Sequence, residues 1–101
     1  MILATAWRMI VLTTLGVSLA APVQAAEVDA VSGLVRAPGF ETVKTHCTVC
    51  HSGRLIAQSR ADRDGWIYMI RWMQRTQNLW PLGDNESIIL DYLETHYSAQ
   101  A

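Results

Sequence analysis

The feature that most constrains this chain is the pentapeptide Cys47-Thr48-Val49-Cys50-His51, a C-x-x-C-H motif. Its two cysteines are spaced about one helical turn apart, and the histidine follows directly. In this arrangement both thiols can add to the two vinyl groups of one haem, and the imidazole lies under the iron. The motif therefore predicts one covalent haem c, attached through Cys47 and Cys50, with His51 as an iron ligand.

Other uses of a cysteine pair fit the chain less well. A structural zinc site takes four sulfur or imidazole ligands, usually as two separated pairs, and no second pair matches Cys47 and Cys50. A thioredoxin-like redox pair follows a strand in a βαβ unit, which nothing in this sequence predicts. A structural disulfide is an open alternative, although a two-residue gap closes a small, strained loop.

The N-terminus has the pattern of a secretory signal peptide. Arg8 precedes an apolar run over 9–21, and small residues follow up to Ala26. Val23 and Ala25 fit the pockets of signal peptidase, which predicts cleavage after residue 25, with cleavage after Ala26 as the second choice. The apolar run is shorter than the roughly 20 residues of a membrane span, so an uncleaved anchor is the less favoured alternative.

Loss of the leader, 1–25, leaves one small domain that is predicted to be periplasmic. We expect a lead-in over 26–38, a haem-carrying domain over 39–98 and a short tail over 99–101. Covalent haem is attached outside the cytoplasm, so the leader and the motif support each other. A chain this short buries little apolar surface, and a covalently held macrocycle would supply the missing core.

The charge of the exported chain excludes some classes of partner. The whole sequence has eight Lys and Arg against nine Asp and Glu, and the leader removes only Arg8, which leaves seven against nine. This mild acidity argues against nucleic acid or an anionic membrane surface as a partner. No stable membrane insertion is expected once the leader is cleaved. It favours a protein partner with a basic docking patch. Lys44, Arg54 and Arg63 are candidates to pair with haem propionates, although such side chains are usually solvated.

Hydrophobic spacing predicts an all-α fold of about three helices. The first helix covers Phe40–Cys47 and delivers the pentapeptide. Ser52–Arg54 is then predicted to be a turn, and the apolar run Leu55–Ala57 to cover one haem edge.

The second predicted helix carries an apolar face that includes both remaining methionines. It begins near Asp62, whose carboxylate suits an N-cap, and reaches Gln77. At 100° per residue one face of this helix collects aromatic, aliphatic and thioether side chains. These are Trp66, Met69, Ile70, Met73 and Gln77.

The last predicted helix follows the loop 78–83, with Asp84 as its N-cap. It presents a broad apolar arc and is expected to cross the first helix and close the fold around the haem. The arc comprises Ile88, Ile89, Tyr92, Leu93 and Tyr97.

An electron-transferring haem iron held by His51 needs a second protein ligand. A thioether favours Fe(II) and raises the potential, and only Met69 and Met73 remain once the leader is lost. A methionine on an apolar helical face is usually a core residue, and spacing alone does not decide between Met69 and Met73 as the ligand. His46 is held on the attachment side, and His96 is predicted to be a partly exposed residue at a helix end.

Together these features resemble a small class I cytochrome c, with the motif at the end of the first helix and Tyr92-Leu93 in the last. More narrowly, the chain resembles short bacterial monohaem cytochromes, notably the cytochrome subunit of sulfite dehydrogenase-type periplasmic oxidoreductases. The matching segments are 39–41, 46–52, 63–66, 70, 72–73 and 90–93. In that family a W-x-x-x-[IV]-x-x-M pattern supplies the axial methionine, which implies Met73 as the partner of His51, with Met69 as the second choice.

The chain departs from the larger mitochondrial type in two respects. Its methionine lies much closer to the motif, and no proline follows His51 to offer a backbone carbonyl to the imidazole Nδ1. The group that orients His51 is therefore left open.

The predicted function is electron transfer rather than catalysis. The protein would carry one electron at a time from a periplasmic dehydrogenase to a downstream oxidase or cytochrome of the respiratory chain. One alternative is a dedicated haem subunit of a sulfite dehydrogenase-like molybdoenzyme complex. Exposure of Trp66, Trp72 and Trp80 would favour that subunit, since surplus aromatic residues often serve an interface. A further alternative is a haem enzyme or gas sensor with an open iron position.

Overall fold

Four helices form in the part of the chain that the computed structural model describes, residues 12–18 and 27–99. They are α1 (Phe40–Cys47), α2 (Gly53–Gln58), α3 (Arg63–Thr76) and α4 (Asn85–His96). Over the same residues the only β-type pairing is a single antiparallel bridge between Val28 and Val35, so the prediction of an all-α fold is confirmed. No helix in these ranges is long and apolar enough to cross a bilayer.

The predicted leader falls largely outside the described residues. Its cleavage site, at residues 23–26, is among those not described, as are the last two residues of the tail. Residues 12–18 are exposed and form no regular structure.

Helix α2 is the element that the sequence did not predict. The hydroxyl of Ser52 accepts a hydrogen bond from the Arg54 N–H at 3.2 Å and caps the helix, so the expected turn is its first turn. Ile56 on α2 is buried. The described chain therefore has four helices where the periodicity predicts about three, because six residues are too few to show a helical repeat.

Both ends of α3 are fixed by identifiable hydrogen bonds. At the start, the Asp62 carboxylate accepts from the Gly65 N–H at 2.8 Å, as the predicted N-cap. At the end, the Met73 carbonyl accepts from the N–H groups of Gln77 at 2.8 Å and Leu79 at 3.2 Å. Asn78 between them has φ 58°, a left-handed conformation that reverses the chain.

Helix α4 packs against both α1 and α3, which confirms the predicted crossing with the first helix. Asp84 is at the predicted N-cap position, but its side chain makes no capping hydrogen bond. Ile88, predicted on the apolar arc, is 43% exposed, whereas the neighbouring Leu90 is buried. The buried face of α4 comprises Ile89, Leu90, Tyr92 and Leu93.

The lead-in packs onto α4 through its backbone. Leu34 is fully buried. The Tyr92 hydroxyl donates to the Val35 carbonyl at 2.6 Å, and the Val35 N–H donates to the Tyr97 hydroxyl at 3.0 Å. Burial, and then the neighbouring Tyr97, raise the pKa of Tyr92, so its hydroxyl stays protonated and remains a donor.

A buried carboxylate stabilises the turn within this lead-in. The Asp29 side chain is almost fully buried and accepts from the Ser32 N–H at 2.8 Å and from Arg36 Nη2 at 2.7 Å. Hydrogen bonding from the side chain and backbone of Ser32, with smaller contributions from Lys44 and Arg36, lowers the pKa of Asp29 to about 2. Asp29 is therefore ionised at neutral pH and its charge is compensated within the turn.

The contact between α1 and α4 predicts a specific cost for Gly39→Ala. Gly39 has φ 92°, and a Cβ there would lie 3.0 Å from Tyr92 Cβ and 3.3 Å from the Ile88 carbonyl. We expect a loss of about 2–4 kcal/mol in the free energy of unfolding, from backbone strain together with overpacking. Urea unfolding of the purified protein measures it.

Gly83→Ala is the matched control. Gly83 has φ 57° but open space around its Cα, so only the backbone strain applies and the loss should be about 1–2 kcal/mol. Equal losses for the two variants would contradict the close approach of α1 to α4.

Candidate functional site

A cavity of about 620 Å³, open to solvent on one side, is lined by residues from all four helices and from the loop between α3 and α4. This volume is within the roughly 300–1,000 Å³ typical of sites for cofactors and other small molecules. Most of the lining side chains are apolar. They are His46, Cys47, Cys50, His51, Leu55, Ile56, Ser59, Trp66, Met69, Ile70, Trp72, Met73, Gln77, Leu79, Leu82 and Leu93.

The pentapeptide contributes three functional side chains to one wall of the cavity. Cys47 is the last residue of α1, and Cys50 and His51 follow in the short link to α2. All three line the cavity, and both cysteines are free thiols. Cys47 is partly buried whereas Cys50 is exposed. The two thiols and the imidazole thus lie together beside an apolar space.

The partial burial of Cys47 alters its chemistry. Desolvation raises the pKa of the Cys47 thiol to about 11, because the apolar surroundings disfavour the thiolate. Since the thiolate is the reactive form towards alkylating agents and disulfides, Cys47 is held as an unreactive thiol near neutral pH. Cys50, by contrast, is exposed to solvent.

Helix α3 contributes another wall. All five residues that helical periodicity places on one face line the cavity: Trp66, Met69, Ile70, Met73 and Gln77. Met69 and Met73 are one turn apart and partly buried. Two thioethers are therefore available to the same cavity that contains the cysteine pair and His51.

Several lining residues were not predicted from the sequence. Leu79 and Leu82 come from the loop 77–84, and Leu82 is only 5% exposed although it belongs to no helix. Leu93, which belongs to the predicted apolar arc of α4, lines the cavity as expected. Apolar residues on both sides of Pro81 were the available signal, since a loop that stays at the surface is usually polar.

Each histidine has a different environment. His51 Nδ1 lies 3.4 Å from the Ser52 carbonyl, a long separation for a hydrogen bond. His46 lines the cavity, and its Nδ1 accepts from the Trp80 indole N–H at 2.9 Å. His96 ends α4 with its ring centroid 5.0 Å from that of Tyr92 and is partly buried, as the sequence predicts.

The three basic residues that the sequence offered as partners of haem propionates lie away from the cavity. Arg63 Nη1 forms ion pairs with Asp91 and Glu94, each at 2.8 Å, and these raise its pKa. Lys44 Nζ lies 5.7 Å from the centroid of the Phe40 ring, and Arg54 is exposed. None of the three lines the cavity.

Of the three tryptophans whose exposure would favour a dedicated subunit, Trp66 is not exposed. Its side chain is buried, and its indole N–H donates to the Tyr97 carbonyl at 3.1 Å, which anchors α3 to the end of α4. Trp72 and Trp80 are 46% and 38% exposed. Helical periodicity gives a residue's face but not which face meets the core, and α4 decides that for Trp66.

Within residues 12–18 and 27–99, no three His, Cys, Asp or Glu side chains are grouped so that they could hold a metal ion. Comparison of the chain with family models, with curated proteins and with solved structures finds no match.

The burial of Cys47 predicts unequal alkylation of the two thiols before any haem is attached. At pH 8 we expect iodoacetamide to modify Cys50 first, because only a small fraction of Cys47 is thiolate well below a pKa of about 11. The Cys47 rate should rise with pH up to that value. Peptide mass mapping of time points gives both rates. Equal rates in the folded chain, with unfolded chain as control, would contradict the protection.

Proposed function

We propose that the protein is a periplasmic monohaem c-type cytochrome that transfers single electrons and is not itself an enzyme. One observation supports this most. The cysteine pair, His51 and two methionines, widely separated in sequence, line the same apolar cavity. A cavity with a few convergent polar or ligating groups is the usual form of a cofactor site.

The donor set and the cavity both suit a covalently held haem. Each thiol, of Cys47 and of Cys50, would add across one vinyl group. A carbon–sulfur bond forms, the vinyl π bond breaks, and the thiol proton goes to the other vinyl carbon, so no oxidant is needed. The apolar lining suits the macrocycle, and His51 on the attachment wall supplies an imidazole.

When bound, a haem supplies a one-electron Fe(III)/Fe(II) couple. The chain's part is to provide His51 and a thioether, and to keep water from the cavity with Trp66, Ile70 and Leu82. A soft sulfur ligand and an apolar surrounding both favour the reduced state.

Met73 is our choice for the second axial ligand, and Met69 is the alternative. The family resemblance points to Met73. The structure adds that the Met73 carbonyl accepts from the N–H groups of Gln77 and Leu79, which fixes the backbone of this residue beside the cavity. Because the backbone of Met73 is already fixed, less conformational entropy would be lost when its side chain binds the iron.

The electron donor in this proposal is a periplasmic dehydrogenase and the acceptor a downstream oxidase or cytochrome. Leu55 and Trp72 line the cavity and are 50% and 46% exposed, so apolar side chains reach the surface at its mouth. Such a rim suits the small, weak contacts of electron-transfer partners.

Met73→Ala tests the proposal in protein made by a host competent for cytochrome maturation. We expect the wild type to retain haem after denaturation and to give a low-spin spectrum with a weak thioether-to-iron band. Met73→Ala should keep the covalent haem, lose that band and become largely high-spin, because one axial ligand is gone. Absorption spectra of the ferric proteins measure this.

Met69→Ala is the matched control, one turn earlier on the same wall. It should retain the thioether band, and the opposite result would exchange the roles of the two methionines. A colourless, folded wild-type protein would refute the proposal. A high-spin wild type that binds carbon monoxide rapidly would instead indicate an open-iron enzyme or sensor.

A second candidate function is a dedicated haem subunit of a sulfite dehydrogenase-like complex. The observation that favours it is the pair of exposed aromatic residues on α3, Tyr68 at 66% and Trp72 at 46%. Aromatic residues are enriched in stable interfaces.

Size-exclusion chromatography of native periplasmic extract separates the two functions. A free carrier should elute at the size of the monomer, and a dedicated subunit should elute with its dehydrogenase. If Tyr68 and Trp72 anchor the contact with the dehydrogenase, Tyr68→Ala and Trp72→Ala should each raise the dissociation constant of the complex at least tenfold. The variant haem protein should then elute in the monomer fraction.

A further inference from the structure

The loop between α3 and α4, residues 77–84, is bound to both walls of the cavity that carry proposed haem ligands. Near its start, the Leu79 N–H donates to the Met73 carbonyl at 3.2 Å. In its middle, the Trp80 indole N–H donates to His46 Nδ1 at 2.9 Å, and His46 directly precedes Cys47. The loop therefore connects the attachment wall with the methionine wall.

The bond between Trp80 and His46 fixes the state of the imidazole. An indole nitrogen can only donate, so His46 Nδ1 must be the unprotonated acceptor and Nε2 must carry the proton. Asn85 Nδ2 lies 3.3 Å from His46 Nε2, and a flip of the amide puts its oxygen in the same place, where it accepts the Nε2 proton. Both ring nitrogens of His46 then have hydrogen-bond partners, and the Nδ1 lone pair is occupied by the Trp80 N–H.

The loop is also held along its backbone. Gln74 Nε2 donates to the Trp80 carbonyl at 3.4 Å, a weak contact. Glu86, just after the loop, forms a paired contact with Arg71, with Nη2 to Oε2 at 2.9 Å. On either side of Trp80, Leu79 and Leu82 line the cavity. Movement of Trp80 would therefore shift both the apolar lining and the backbone contact at Met73.

We infer that Trp80 is a positioning residue. By donating to His46 it keeps the loop closed over the cavity and holds Met73 as the axial ligand. This inference rests on the proposed function. Without that bond the loop opens more readily, Met73 leaves the iron more often, and an external ligand competes better for the same position.

Trp80→Phe tests the inference because it keeps an aromatic ring and removes the indole N–H. In the ferric, haem-loaded protein we expect added imidazole to bind roughly two- to tenfold more tightly than in wild type. That range corresponds to the loss of one hydrogen bond of about 0.5–1.5 kcal/mol. His46→Phe removes the same bond from its other end and should act in the same direction. The double variant should exceed neither single variant by much, since all remove one interaction.

Tyr68→Phe is the matched control. Tyr68 is an exposed aromatic residue of α3 that does not line the cavity, and the change removes one hydroxyl. Imidazole binding should equal that of wild type. A Trp80→Phe protein that carries covalent haem and binds imidazole like wild type overturns the inference and leaves the proposed function intact. A wild-type protein that never attaches haem overturns both the inference and the proposed function.

A measurement on the wild type keeps the inference testable even if a variant fails to fold. Long-range ¹⁵N–¹H NMR of the haem-loaded protein should show the protonated nitrogen of His46 to be Nε2 and the bare nitrogen to be Nδ1. A protonated Nδ1 in the neutral ring would exclude the bond to Trp80 and overturn the inference.

Discussion

The packing of α1 and α3 on the buried face of α4 is the interaction on which the rest of the structure depends. Gly39 allows α1 to approach Tyr92 so closely that a Cβ at this position would lie only 3.0 Å from Tyr92 Cβ. Trp66 anchors α3 to the end of α4 through its hydrogen bond to Tyr97. Because α1 and α3 are each held by α4, residues of both helices line the same cavity, to which α2 and the loop 77–84 also contribute.

Polar interactions in this fold complete the packing rather than replace it. Among the described residues, no buried side-chain nitrogen or oxygen lacks a hydrogen-bond partner. The ion pairs of Arg63 and Arg71 are at the surface, where such pairs contribute about 0.2–1 kcal/mol. The apolar core therefore carries most of the stability, and several of its residues line a cavity of about 620 Å³. In the proposed function the haem macrocycle fills that space and becomes part of the core.

The sequence was most informative where a local pattern is also a structural unit. Helix α1 has the predicted bounds, Phe40–Cys47, and α3 begins at its predicted cap, Asp62. The face of α3 is equally local, because 3.6 residues per turn place Trp66, Met69 and Met73 together wherever the helix lies. The sequence was least informative about α2, about the packed lead-in containing Leu34, and about the loop wall, where long-range contacts decide the conformation.

By itself, then, the sequence determined which groups are available: two thiols and an imidazole in five residues, and two thioethers on one helical face. Only the tertiary structure decided that these groups share a cavity, that Arg63 pairs with α4 and that Trp66 is buried. The physical reason is that spacing along a helix fixes neighbours within a few residues. The partner of a helical face, by contrast, depends on how the helices cross, and that is set by contacts such as Gly39 against Tyr92.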